Sequence, residues 1–211
     1  MKLKKISYIL IYSLLLLGCS ATPEPDPVQE TKEKQISPKE QKFVKKEQSN
    51  LKDYRPQVGT IRTYTNAGEV IYTHEIVSEN DEYIQQTVYL SGAPTTQIYR
   101  WTDDEIALVY EIAGNQPPEL LDEFIPFDTA EMIMNSSGQA EWSILEKNTI
   151  VTVPAGTFSN VVVVKKITDE VEGAETIYTR YYAPSIGLIK ETYEVTGKNG
   201  YKDEANLENS Q

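Results

Sequence analysis

Chemistry has few starting points in this chain: one cysteine, Cys19, and one histidine, His74, stand among 32 acidic residues and 14 tyrosines. A serine nucleophile needs a histidine that is hydrogen-bonded to both a hydroxyl and a carboxylate, and no G-x-S-x-G elbow accompanies His74. One histidine also falls short of the multi-histidine zinc sites used in hydrolysis. In VIYTHEIV, residues 70–77, His74 shares a face with Val70, Tyr72 and Ile76, and it reads as a structural or surface residue. Cys19 has no second cysteine to pair with, and it lacks the neighbouring base or helix end that would activate a thiol. Composition leaves a two-acid glycosidase open, but that chemistry needs two carboxylates facing each other across a groove. Asp103-Asp104-Glu105 reads as a solvated turn, because the alternating oxygen ligands and glycine of an EF-hand loop are missing. No metal or other cofactor is implied.

The aromatic residues are the other candidates. Tyrosine favours strands for packing reasons alone, so half-buried sheet residues are the simplest reading. The functional alternative is a sheet face that presents rings to a glycan, peptide or amphiphile, since each ring has an apolar body and a polar tip. Tyr72, Tyr110, Tyr178 and Tyr182 are the candidate ligand-binding residues on that reading.

The elements that must position these rings are strands. Residues 70–77, 82–90, 96–102, 105–113, 141–145, 148–153, 160–168, 175–183 and 187–195 are rich in β-branched and aromatic residues. Asn66-Ala67-Gly68 suits a short hairpin loop with glycine in a left-handed conformation, and Val153-Pro154-Ala155-Gly156 suits a type I turn. In 105–113, period two puts Ile106, Leu108, Tyr110 and Ile112 on the core face. Val161–Val164 is apolar throughout and predicts a strand covered on both sides. No long helical pattern intervenes, so the sheet should be antiparallel.

The fold class is therefore all-β, or β-rich α+β: one domain built on a single, strongly curved antiparallel sheet of half-barrel or barrel-like form. A β-sandwich is the alternative. Residues 115–142 read as a long connection with one helical turn, its apolar side covering an open edge or mouth of the sheet. The β domain is placed at 53–198, with a polar tail at 199–211 that frays.

Ahead of the domain, Met1-Lys2-Leu3-Lys4-Lys5 and the apolar run Ile6–Leu17 have the layout of a signal peptide, residues 1–18. The run falls short of the roughly 20 apolar residues of a membrane span. Leu16-Leu17-Gly18-Cys19 resembles the lipobox of bacterial lipoproteins. That resemblance implies cleavage between Gly18 and Cys19 and a diacylglyceryl group, with palmitate-type chains, on the Cys19 sulfur. Two acyl chains hold a protein stably where one holds it marginally. The implied location is the extracytoplasmic face of the cell membrane. Residues 19–52 are poor in large apolar side chains and read as a disordered stalk. It would reach roughly 30 Å as a coil and about 100 Å pulled straight. Ser37–Leu51 carries the cap and first-turn proline of a transient helix.

The formal charge is -12, and the loss of the signal lysines makes the mature chain more acidic still. Phosphate backbones and anionic headgroups repel such a surface, which sets nucleic-acid binding aside. The domain is expected to be a monomer.

TVPAGTFSNVVVVKK, residues 152–166, and YYAPSIGLIKE, residues 181–191, resemble paired segments of small exported bacterial domains, including Gram-positive envelope lipoproteins. Some of these are similar in outline to the LolA, LolB and LppX group, which implies a curved antiparallel sheet around a cavity that carries an acyl chain. The resemblance assigns no role to any single residue. The preferred reading is a non-enzymatic, membrane-anchored module that binds a lipid, a glycan or an envelope protein. A surface-attached, carboxylate-dependent glycan hydrolase and a structural or assembly factor are the alternatives.

Overall fold

The computed structural model describes residues 50–138 and 140–211. A 3-10 turn, Leu51–Tyr54, is followed by β1 (Ile61–Asn66), β2 (Glu69–Glu79), β3 (Tyr83–Leu90), β4 (Ala93–Trp101) and β5 (Glu105–Ala113). A single helical turn, α1 (Leu120–Glu123), leads to β6 (Glu131–Asn135). The chain then continues through β7 (Ser143–Val153), β8 (Gly156–Thr168), β9 (Thr176–Ala183), β10 (Gly187–Val195) and β11 (Tyr201–Ser210). Two tight hairpins have both loop residues at positive φ, Ala67-Gly68 at 49° and 84° and Ser91-Gly92 at 50° and 82°. That is the conformation a two-residue loop needs to match the twist of its strands.

All the strands form one 11-stranded sheet in the order β6-β5-β4-β3-β2-β1-β11-β10-β9-β8-β7. Every ladder between them is antiparallel. This is a meander whose first strand pairs with its last, so the sheet closes on itself except between β6 and β7. Parity fixes the relative direction of the two strands at the gap. In a ring of alternating antiparallel strands, an odd number forces one neighbouring pair to run the same way. β6 and β7 are that pair, and parallel neighbours cannot be joined by a tight hairpin. Side chains bridge the gap instead. Glu131 on β6 accepts from Trp142 Nε1 at 3.1 Å and from Lys166 Nζ on β8 at 3.2 Å. Lys166 also reaches Glu141 at 2.8 Å.

The single curved antiparallel sheet expected from the sequence is the one observed, not the sandwich, but three local readings change. The stretch read as a fraying tail contains β11, a strand between β1 and β10. Only Ala205 and Leu207 of β11 are buried apolar residues, too few to mark a strand by composition. In β5, a bulge between the β4 pairs Ile98–Tyr110 and Tyr99–Leu108 breaks the period. Ala107 and Val109 are fully buried, whereas Ile112 is exposed. In β2, a bulge between Val70 and Tyr72 leaves Val70 in solvent while Tyr72, His74 and Ile76 stay buried. The run Val161–Val164 is buried at every position, as expected.

The 115–142 segment also differs from expectation. It contributes β6, and its helical turn covers the outer face of the sheet, where Leu121 packs in a cluster with Ile98, Ala107 and Val109. Gln85 on β3 holds the start of this connection against the sheet by donating to the carbonyls of Gln116 and Pro117, both at 3.1 Å.

One end of the barrel is stoppered by the segment entering β1. Leu51 and Tyr54 are buried in the main core cluster. Trp101 Nε1 donates to the Leu51 carbonyl at 2.8 Å, Tyr54 Oη to the Asn160 carbonyl at 3.0 Å, and Ser185 N to the Asp53 carbonyl at 2.7 Å. Arg55 donates to the carbonyls of Asn80 and Tyr83. Four separate parts of the barrel rim are thereby tied to one short piece of chain.

Candidate functional site

Inside the barrel, beyond the stopper, lies a cavity of about 210 Å³ whose lining includes Arg62, Tyr72, His74, Tyr99, Tyr182 and Leu188. A second recess of about 450 Å³ adjoins it toward the other end, lined among others by Ile71, Tyr178, Tyr193 and Ala205. Tyr72, Arg180 and Glu191 belong to both linings and form a shared wall. These volumes suit a small ligand in the inner space with room for more of it outside.

The shared wall is a hydrogen-bonded ion pair. Arg180 and Glu191 are direct neighbours across β9 and β10, with Nε 3.4 Å from the carboxylate. Tyr72 Oη donates to the other Glu191 oxygen at 2.6 Å. Burial, and then the Glu191 charge, raise the Tyr72 phenol well above its ordinary pKa, so it stays a donor. The Arg180 guanidinium lies 4.5 Å from the centre of the Trp142 ring, a cation–π contact.

Deeper in, β1 and β2 place Arg62 directly opposite His74. The two side chains are 2% and 8% exposed. Arg62 donates to the Ile186 carbonyl at 2.8 Å and to Gln86 Oε1 at 3.3 Å. From there the amides run in series: Gln86 donates to Gln97 at 2.9 Å, and Gln97 donates to Glu111 at 2.6 Å. Gly187 leaves room for the guanidinium, because a Cβ there would sit 3.1 Å from the Arg62 terminal nitrogen at a φ of 79°. His74 is sandwiched against Tyr72 and Tyr64, each with ring centroids 4.9 Å away. Burial, followed by Arg62 and Arg180, holds its imidazole well below the ordinary value, so the ring is neutral.

Of the candidate ring residues, Tyr72 and Tyr182 line the inner cavity, and Tyr72 and Tyr178 line the outer recess. Tyr110 lies apart, packed on Phe124 and Phe127 under the outer connection. The β5 bulge is the reason: it turns Tyr110 to the face of Ile98. Gly18, Cys19, the signal segment and nearly all of the stalk lie outside the described residues. Arg62, Gln86, Gln97, Arg180 and Glu191 are the site residues that sequence reasoning missed. The alternation of IRTYTN was a usable sign, since it sets Arg62 on the same face as Tyr64.

A carboxyl that serves as a general acid at neutral pH needs a raised pKa. Glu131 and Glu204 both stand below the ordinary carboxyl value. At Glu131 burial opposes the charge, and the Trp142 and Lys166 hydrogen bonds overcome it. At Glu204 the hydrogen bond from Lys190 leads. Among the described residues, Glu191 is the carboxylate that lines the inner cavity, and its oxygens are already engaged by Tyr72 and Arg180.

No family model and no curated protein matches this chain. Among solved structures it is similar to one from Bacteroides fragilis, provisionally described as an exported protein with a YmcC-like fold. The identity is 15%, the TM-score is 0.44, and 74% of this chain and 97% of that one are covered. It is also similar to one from Parabacteroides distasonis, provisionally described as a lipoprotein. There the identity is 15%, the TM-score is 0.42, and the coverage is 75% of this chain and 98% of that one.

Proposed function

We propose that this protein is a lipid-anchored module of the extracytoplasmic membrane face that binds an amphiphilic ligand, or the apolar end of an envelope component, inside its barrel. The observation that carries this reading is the pair of adjoining interior spaces, about 210 and 450 Å³. Apolar and aromatic walls with a few convergent polar groups are the usual make-up of a small-molecule site. A filled barrel of side chains would have no such use. The lone Cys19 behind an apolar run supplies the anchor, and its two acyl chains would hold the acidic body at a surface that otherwise repels it.

Both halves can be tested. Labelling cells with an alkyne analogue of palmitate should tag the wild-type protein and not Cys19→Ala; equal labelling of the two rejects the anchor. For the cavity, purified Cys19→Ala protein should bind the neutral fluorescent probe N-phenyl-1-naphthylamine. Val88 lines the inner space, so Val88→Trp should fill it and weaken probe binding about tenfold or more while circular dichroism stays the same. Absence of probe binding before substitution, or binding that ignores Val88→Trp, overturns the cavity reading.

A further inference from the structure

The inner cavity contains a buried cation without an anionic partner. Arg62 is 2% exposed, and both its hydrogen-bond acceptors, the Ile186 carbonyl and the Gln86 amide oxygen, are neutral. Its Nε has no hydrogen-bond partner, and neither has Nδ1 of His74 directly opposite on β2. Both residues line the same space. Arg180, the other cation there, is matched by Glu191, so the lining carries one positive charge more than it carries negative. Burying a guanidinium without a counter-charge, and leaving its N–H unpaired, is costly unless something else occupies the gap. The amide series toward Glu111 spreads the charge but places no carboxylate against it.

We propose that the ligand of this cavity carries a monoanionic head, a carboxylate, which pairs with the Arg62 guanidinium beside His74, its apolar body lying against Tyr72, Val88, Tyr182 and Leu188. The inference rests on the cavity reading above and adds the charge and position of the head. A single excess charge matches a monoanion, and a guanidinium is the planar fork with which a carboxylate pairs. Tyr99 and Trp101 also border the space and add aromatic surface to its wall. Desolvation there strengthens the ion pair beyond what the surface would allow.

The test compares decanoate with decanol, an uncharged molecule of equal chain length, as competitors of N-phenyl-1-naphthylamine on the Cys19→Ala protein. Decanoate should displace the probe at about tenfold lower concentration or better, the discrimination typical of a charge-assisted hydrogen bond. In Arg62→Met that preference should vanish, with decanol affinity essentially unchanged. If Arg62→Met does not fold, the comparison on the protein with Arg62 intact still decides. Equal displacement by decanoate and decanol refutes the anionic head while leaving the cavity reading intact. Failure of the neutral probe itself refutes both. Decyl phosphate binding more tightly than decanoate at pH 8 would replace the monoanion by a dianion and overturn the assignment.

Discussion

His74 is the residue whose meaning changes most between sequence and structure. As the only histidine, it reads as a structural or surface residue, and the structure buries it against two tyrosines, facing Arg62. The charged groups that bear on its ring are Arg62 on β1 and Arg180 on β9; Glu191 on β10 shares the cavity wall. The ring is held well below an ordinary pKa, first by burial, and this sets the sign of a pH effect. An unfolded chain protonates its imidazole near pH 6.5 whereas the folded one does not. The unfolded state then binds more protons, and stability falls as pH drops below about 6.5, by up to about 1.4 kcal/mol per pH unit from this group. Above that pH the contribution is complete. Urea midpoints measured between pH 7 and 5 should decline less steeply in His74→Gln than in the wild type, and parallel declines would contradict a neutral buried imidazole.

At the level of elements, β11 decides whether a sheet exists. It joins the run β6 to β1 with the run β10 to β7, and its ladder carries register from Arg62–Ser210 on one side to Val195–Tyr201 on the other. A chain ending at Gly200 would leave two open sheets with facing unpaired edges, a state natural β proteins avoid. That truncation should abolish the cooperative unfolding transition and the dispersed amide spectrum, whereas a fraying tail could be removed at no cost. The strand was hidden because YKDEANLENS has the polarity of a terminus. One of its two partners, β1, lies far away in sequence, and the backbone groups of β1 and β10 together make it a strand. β2 to β5 and β8 to β10 were legible because buried strands concentrate branched and aromatic residues. Their bulges were not, since one extra residue leaves composition untouched yet moves every later side chain to the other face. Arg62 faces His74 only because of the bulge after Val70.

For the whole molecule the weak point is the junction of β6 and β7, where side chains replace a backbone ladder. Trp142 is its centre. It is 3% exposed, donates to Glu131, and stacks under Arg180. Replacing a buried tryptophan by alanine costs about 3–5 kcal/mol. Trp142→Ala should show that loss together with faster amide exchange confined to β6, the start of β7 and the end of β8. Exchange that rises equally all round the barrel would mean that the junction is no weaker than the ladders. Glu131→Gln and Lys166→Met should cost less, about 1 kcal/mol or under, because both side chains are partly exposed and solvent screens their attraction.

What the sequence determined by itself was the class of architecture and the proposed address. Alternating β-branched and aromatic residues, turn glycines and the lack of a helical period follow from local backbone and burial preferences that each stretch expresses alone. The lone cysteine behind an apolar run is a local pattern of the same kind. Ring closure, the interior cavity and the meeting of Arg62 with His74 depend instead on register between strands, on strand-number parity and on bulges. Those quantities belong to pairs of segments far apart along the chain, and no single segment records them.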